Sequence, residues 1–124
     1  MSVMQSRDNR TFIAGADLSS AQFKFVTLES TGKVILANSA GEQAIGVCLV
    51  GGLAEAAVTV TRSGSVMVIA GGTIAAGAAV ATTAAGLALT AAATNTIMGY
   101  AKEAGVINQV IEIELISGGN VVPA

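Results

Sequence analysis

The hydrophobic residues of this chain arrive in short runs separated by glycine-marked turns. Lys33-Val34-Ile35-Leu36-Ala37, Val58-Thr59-Val60-Thr61, Val66-Met67-Val68-Ile69 and Ile111-Glu112-Ile113-Glu114-Leu115 are rich in β-branched side chains, which favour the pleated surface of a sheet. Each predicts a strand. The last alternates strictly, with Ile111, Ile113 and Leu115 on one face and Glu112 and Glu114 on the other. That pattern predicts one buried face and one solvated face.

Turn signals fall between these runs at short, regular spacing: Ser30-Thr31-Gly32, Asn38-Ser39-Ala40-Gly41, Gly51-Gly52, Arg62-Ser63-Gly64, Gly71-Gly72, Ala85-Gly86, Gly105 and Gly118-Gly119. Such spacing suits a meander rolled into a small barrel or folded into a sandwich. Alanine is a good helix former, yet the glycines and threonines between Ala75 and Ala93 break any apolar stripe of helical period, so this segment also reads as strand and turn. The predicted fold class is all-β, a small β-barrel or β-sandwich built from two similar halves, with an extended N-terminal arm.

The two halves follow from features that recur at an offset of 53 residues. Gly46 of Ile45-Gly46-Val47-Cys48 aligns with Gly99 of Ile97-Met98-Gly99-Tyr100-Ala101, and Val58-Thr59-Val60 aligns with Ile111-Glu112-Ile113. The pieces Gly32 to Leu36 and Ala85 to Leu89 match as well. The lead-ins Leu18-Ser19-Ser20-Ala21 and Ile74-Ala75-Ala76-Gly77 match once a short gap is allowed. The organisation this predicts is an arm over residues 1–14 and one β domain over 15–124, internally duplicated at about 15–62 and 72–117. Gly46 and Gly99, mid-strand beside bulky neighbours, predict a bulge or a bend.

Composition sharpens the picture. In 124 residues, apolar side chains make up 52% but aromatics only 3%. Charged residues are 11%, against about a quarter in an ordinary soluble domain, so much of the surface must be alanine, glycine, serine, threonine and asparagine. A surface so weakly charged favours association with other protein. The net charge of −2, with six scattered basic residues, offers no footprint for a polyphosphate backbone and predicts no nucleic-acid binding. The stretch from Ser63 to Ala101 carries no charge at all, but its glycines and threonines interrupt it too often for a membrane-spanning helix. Residues 1–10 lack the basic start and apolar stretch of a secretory signal, which predicts a protein that stays in the compartment where it is made.

The residue types also limit the chemistry. With no histidine, catalytic triads and histidine metal sites are excluded. Glu112 and Glu114 are the one close carboxylate pair and read as a solvated strand face. Ala70-Gly71-Gly72-Thr73-Ile74-Ala75-Ala76-Gly77 fits neither glycine-rich nucleotide loop, and no lysine follows it. The single cysteine, Cys48, lies in an apolar run and reads as buried core. The four methionines have no helical spacing, and no metal, cofactor or enzymatic activity is predicted.

A lead-in such as Ile74-Ala75-Ala76-Gly77-Ala78-Ala79-Val80, a hairpin strand, the stretch Gly99-Tyr100-Ala101-Lys102-Glu103-Ala104-Gly105 and a closing Ile111 to Leu115 strand together resemble the capsid decoration, or cement, proteins of tailed bacteriophages. The resemblance covers roughly residues 15 to 117. It implies a compact β fold, commonly a homotrimer, on the outer surface of the expanded head, where it binds the major capsid protein and holds neighbouring subunits together. It also implies synthesis in the host cytoplasm and a virion location. A second reading is a small β-barrel module for adhesion to a host surface or carbohydrate, although the aromatics that stack on sugars are few. In the decoration reading the tail before the domain, with Arg7, Asn9 and Arg10 followed by apolar Phe12 and Ile13, reads as a capsid-contact arm that adds as a strand to an exposed sheet edge on the capsid.

Overall fold

The protein is described by a computed structural model over residues 9–116. Ten strands follow in order: β1 (Asn9–Ile13), β2 (Phe25–Leu28), β3 (Val34–Leu36), β4 (Gly46–Val50), β5 (Ala57–Thr61), β6 (Gly64–Ile69), β7 (Ala79–Thr82), β8 (Ala88–Thr90), β9 (Gly99–Ala101) and β10 (Val110–Leu115). They form two antiparallel five-stranded sheets, ordered β1-β5-β4-β2-β3 and β6-β10-β9-β7-β8. Adding five to each strand number of the first sheet gives the second sheet, in the same order.

The correspondence extends to the backbone between strands. Positive φ occurs at Phe23, Gly32, Gly41 and Glu55 in the first half and at Gly77, Gly86, Thr94 and Asn108 in the second. Loop hydrogen bonds recur in pairs too. Leu18 N–H donates to Gly52 O at 2.8 Å and Ile74 N–H to Gly105 O at 2.9 Å, while Glu29 N–H donates to Lys33 O and Thr83 N–H to Leu87 O, both at 2.8 Å.

Each sheet curls until its outer strands almost meet. A single parallel bridge joins Ala14, just past β1, to Val34 of β3, and another joins Ala70, just past β6, to Ala88 of β8. One bridge is not a ladder, so neither sheet closes into a barrel. The architecture is a small β-sandwich.

Burial explains why both faces of the first sheet are apolar. Phe25 and Val47 pack with Val66, Val68, Val80, Ile111 and Ile113 of the second sheet. The residues next to them in sequence, Val26 and Cys48, point the other way and join Val58, Val60, Val34 and the loop residues Ala14, Leu18 and Ala21. Full burial of a Val, Leu, Ile or Phe side chain contributes about 1.5–3 kcal/mol. The strands expected at residues 33–37, 58–61, 66–69 and 111–115 are present as β3, β5, β6 and β10, and the alanine-rich stretch forms β7 and β8 instead of helix.

The halves are joined by Arg62-Ser63 and by hydrogen bonds between them. Phe25 N–H donates to Gly86 O at 2.8 Å, Ile69 N–H to Phe23 O at 3.0 Å and Gly41 N–H to Thr82 O at 2.9 Å. Gly64, at φ 91°, turns the chain from β5 into β6 and pairs with Leu115.

Gly46 and Gly99, expected mid-strand, are the first residues of β4 and β9 and play a part other than the one expected. The irregularity in the β4–β5 ladder lies between Cys48 and Val50, not at Gly46. Gly46 instead sits against the backbone carbonyl of Thr61, and Gly99 against that of Glu114, leaving no room for a Cβ at either position.

Candidate functional site

The expected arm over residues 1–14 does not extend free of the fold as far as Ile13. Asn9–Ile13 is strand β1, paired along its whole length with β5 from Asn9↔Thr61 to Ile13↔Ala57. The reason is local: β5 has β4 on one side only, and its other row of backbone groups is satisfied by this segment. Thr61 Oγ1 donates to Asn9 Oδ1 at 2.7 Å, and Phe12 packs against the loop-side cluster of the first sheet. Asn9, Arg10 and Ile13 are exposed on this edge. The structure thus brings four of the five candidate contact residues onto one edge strand, and Arg7 lies outside the described residues.

The outer face of β10 also differs from expectation. Glu112 is buried, at 4% exposure, while Glu114 is solvated. Neighbouring strands cover Glu112 and satisfy it. Lys102 Nζ donates to Glu112 Oε2 at 3.2 Å and to Ser65 Oγ at 3.0 Å, Ser65 Oγ donates to Glu114 Oε1 at 2.9 Å, and the Glu112 backbone N–H donates to Glu103 Oε2 at 2.9 Å. The cluster ties β6, β9 and β10 together across their outer face, and the Ser65 hydroxyl at its centre is buried.

A cavity of about 380 Å³ opens at the end of the sandwich where β5 hands over to β6. Thr27 and Leu28 of β2 line it, as do Gln43-Ala44-Ile45 before β4, Thr96-Ile97-Met98 before β9, Arg62 and Ile116. The segments 43–45 and 96–98 are corresponding pieces of the two halves, and each leads into one of the glycine-marked strands. Arg62 is the one charged residue among these, and its Nε is buried without a hydrogen-bond partner. Leu28 stands at the cavity with 48% of its surface exposed.

Sequence reasoning missed this site. The available signal was that Arg62 is the sole charge between Glu55 and Lys102, a run that otherwise needs none.

At the far ends of the strands lie two apolar tips. Leu53 between β4 and β5, and Val106 and Ile107 between β9 and β10, are 66%, 56% and 62% exposed. Two further groups have shifted acidities. Burial pushes the Cys48 thiol up from its ordinary 9.0. Asp17 lies below its ordinary 3.8 because its carboxylate accepts from the Ser19 backbone N–H at 3.0 Å and is hydrogen-bonded by the Ser19 side chain. Among the described residues, no group of acidic or cysteine side chains is arranged to hold a metal ion.

This geometry defines a class of fold, a two-sheet β-sandwich with five strands per sheet. No family model matches the chain, and no curated protein matches it by sequence. Among solved structures it is similar to the one described as the crystal structure of head fiber gp8.5 N base in bacteriophage phi29, with a TM-score of 0.73 at 18% identity, over 88% of this chain and 93% of that chain. The two share a fold nearly from end to end.

Proposed function

We propose that this chain is a structural protein of a tailed-phage particle, a non-enzymatic, trimeric subunit that docks on the outside of the expanded head and holds neighbouring major capsid subunits together. The observation that carries the reading is the end-to-end likeness in fold to the base of a phage head fibre. It is supported by the low charge, since a weakly charged surface favours association, and by the exposed apolar side chains Leu53, Val106 and Ile107 at the loop tips. A shell offers many equivalent sites, so weak contacts from each copy of an oligomer add through multivalency. In this reading residues 1–8 and the exposed edge of β1, with Arg10 and Ile13, reach the shell.

The experiment is cosedimentation of the purified protein with expanded heads and with unexpanded proheads, together with its mass in solution. Saturable binding to expanded heads by a trimer supports the proposal, and absence of binding to either shell overturns it in favour of a free adhesion module. Removing residues 1–8 keeps the β1–β5 ladder and tests the arm, whereas removal through Ile13 would also strip β5 of its partner.

A further inference from the structure

We infer that the cavity at Arg62 is a socket for an acidic side chain of the shell subunit on which this protein docks, an inference that rests on the docking reading above. Arg62 makes no side-chain hydrogen bond or ion pair among the described residues, and no carboxylate among them lines the cavity. A guanidinium stays charged at every accessible pH, and a buried donor without an acceptor is destabilising. In this half-buried side chain it is Nε that is left without an acceptor, and a carboxylate entering the cavity would satisfy it.

The surroundings specify the acceptor. Thr27, Gln43 and Thr96 add hydrogen-bonding groups near the cation, and Ile45, Ile97 and Ile116 provide apolar wall. The volume is at the small end of the roughly 300–1,000 Å³ range of ligand clefts. A single cation without an aromatic platform does not suit a nucleotide or a polyphosphate, which would call for several cations or stacking surfaces. A planar carboxylate matches the guanidinium fork, and an apolar residue beside it in the partner's chain would cover Leu28.

In another copy of this protein three carboxylates are already engaged: Glu55 is paired with Lys33 at 2.7 Å, Glu42 accepts from the Asn38 and Ser39 backbone N–H groups at 2.8 and 2.7 Å, and Asp17 accepts from the Ser19 N–H. Glu29 and the exposed Glu114 form no ion pair among the described residues, so self-association is kept as an outcome of the test. The cavity also lies beside β1, because Asn9 pairs with Thr61, the residue before Arg62. A shell contact here would adjoin the β1 edge already assigned to docking.

The test uses the full chain, with hexanoate as a carboxylate probe and hexanamide as its neutral counterpart, followed by NMR at the Arg62 Nε–H and at the Gln43, Thr96 and Ile97 amides. Hexanoate is expected to shift these signals saturably, and hexanamide is not. In cosedimentation, Arg62→Gln is expected to bind expanded heads at least tenfold more weakly, with Arg62→Lys intermediate because it keeps the charge and loses the fork. The urea midpoint of Arg62→Gln is expected to equal or exceed that of the wild type, the reverse of what a purely structural arginine would give. Equal head binding by Arg62→Gln, or equal shifts with hexanamide, overturns the socket and leaves docking intact. Wild-type protein that binds no heads overturns docking and the partner with it, and Arg62-dependent self-association would reassign the socket to a second copy.

Discussion

Gly99 lies so close over the backbone carbonyl of Glu114 that a Cβ cannot stand between them, and Gly46 stands in the same way over Thr61. Both glycines have ordinary backbone conformations, so space and not φ is what demands them. The approach brings the central strands β4 and β9 close against β5 and β10, which carry much of the buried valine and isoleucine.

Gly46→Ala and Gly99→Ala should therefore each destabilise the fold by overpacking, by about 1–3 kcal/mol. Gly32 is the contrast: nothing lies near a Cβ there, but φ is +85°, so Gly32→Ala should cost about 1–2 kcal/mol through the backbone alone, and Gly32→Asn less. Urea midpoints would decide, and a Gly99→Ala protein as stable as the wild type would refute the steric account.

Lys102 and Glu112 form an asymmetric pair, with the lysine side chain 42% exposed and the glutamate side chain 5%. Removing one partner of a fully buried pair costs about 3–5 kcal/mol, and solvent around Lys102 reduces this, so Lys102→Met should cost about 1–2 kcal/mol. The double change Lys102→Met with Glu112→Leu should recover part of that loss, because no buried charge is then left alone. Additive losses in this double-mutant cycle would show that the pair is not coupled.

Thr94 occupies a left-handed position, φ 67°, and corresponds to Gly41 at φ 75° in the first half. A β-branched residue pays about 1–2 kcal/mol for that conformation, more than the extra unfolded-state freedom of a glycine. Thr94→Gly should accordingly raise stability by about 0.5–1 kcal/mol despite loss of the exposed hydrogen bond from Thr94 Oγ1 to Ala93 O. A lowered melting temperature would mean that this hydrogen bond outweighs the strain.

Cys48 is fully buried, and burial raises its thiol above 9.0. The folded form thus holds its proton to higher pH than the unfolded form. The stabilisation is complete below pH 9.0 and is lost as pH rises from there through the folded value. At pH 8 iodoacetamide should alkylate the native protein on the order of 10³-fold more slowly than the urea-unfolded chain, since reaction waits on opening. Comparable rates in the two states would place the thiol at the surface.

The strands most legible in the sequence are those with one dominant period or a dense β-branched run, such as β6 and β10. Phe25-Val26 was not read as part of a strand because Phe25 faces the second sheet and Val26 the loop-side cluster, so β2 has no polar alternation to betray it. Asn9–Ile13 looked like a tail because most of its residues are polar and exposed, and what makes it a strand is the unpaired side of β5, almost fifty residues away. Glu112 was assigned to the wet face by a correct period, and only the covering Ser65 and Lys102, both distant in sequence, bury it. The Arg62 cavity is lined from five separate parts of the chain, and no local pattern announces such a meeting.

The pairing of Asn9 with Thr61 and of Leu115 with Gly64, with only Arg62 and Ser63 between, has an engineering consequence. The points where the described chain enters and leaves are within roughly 20 Å of each other. Peptides inserted at Leu53-Ala54 or Val106-Ile107 would be carried at the opposite ends of β5 and β10, away from the cavity, and would show whether those apolar tips take part in association.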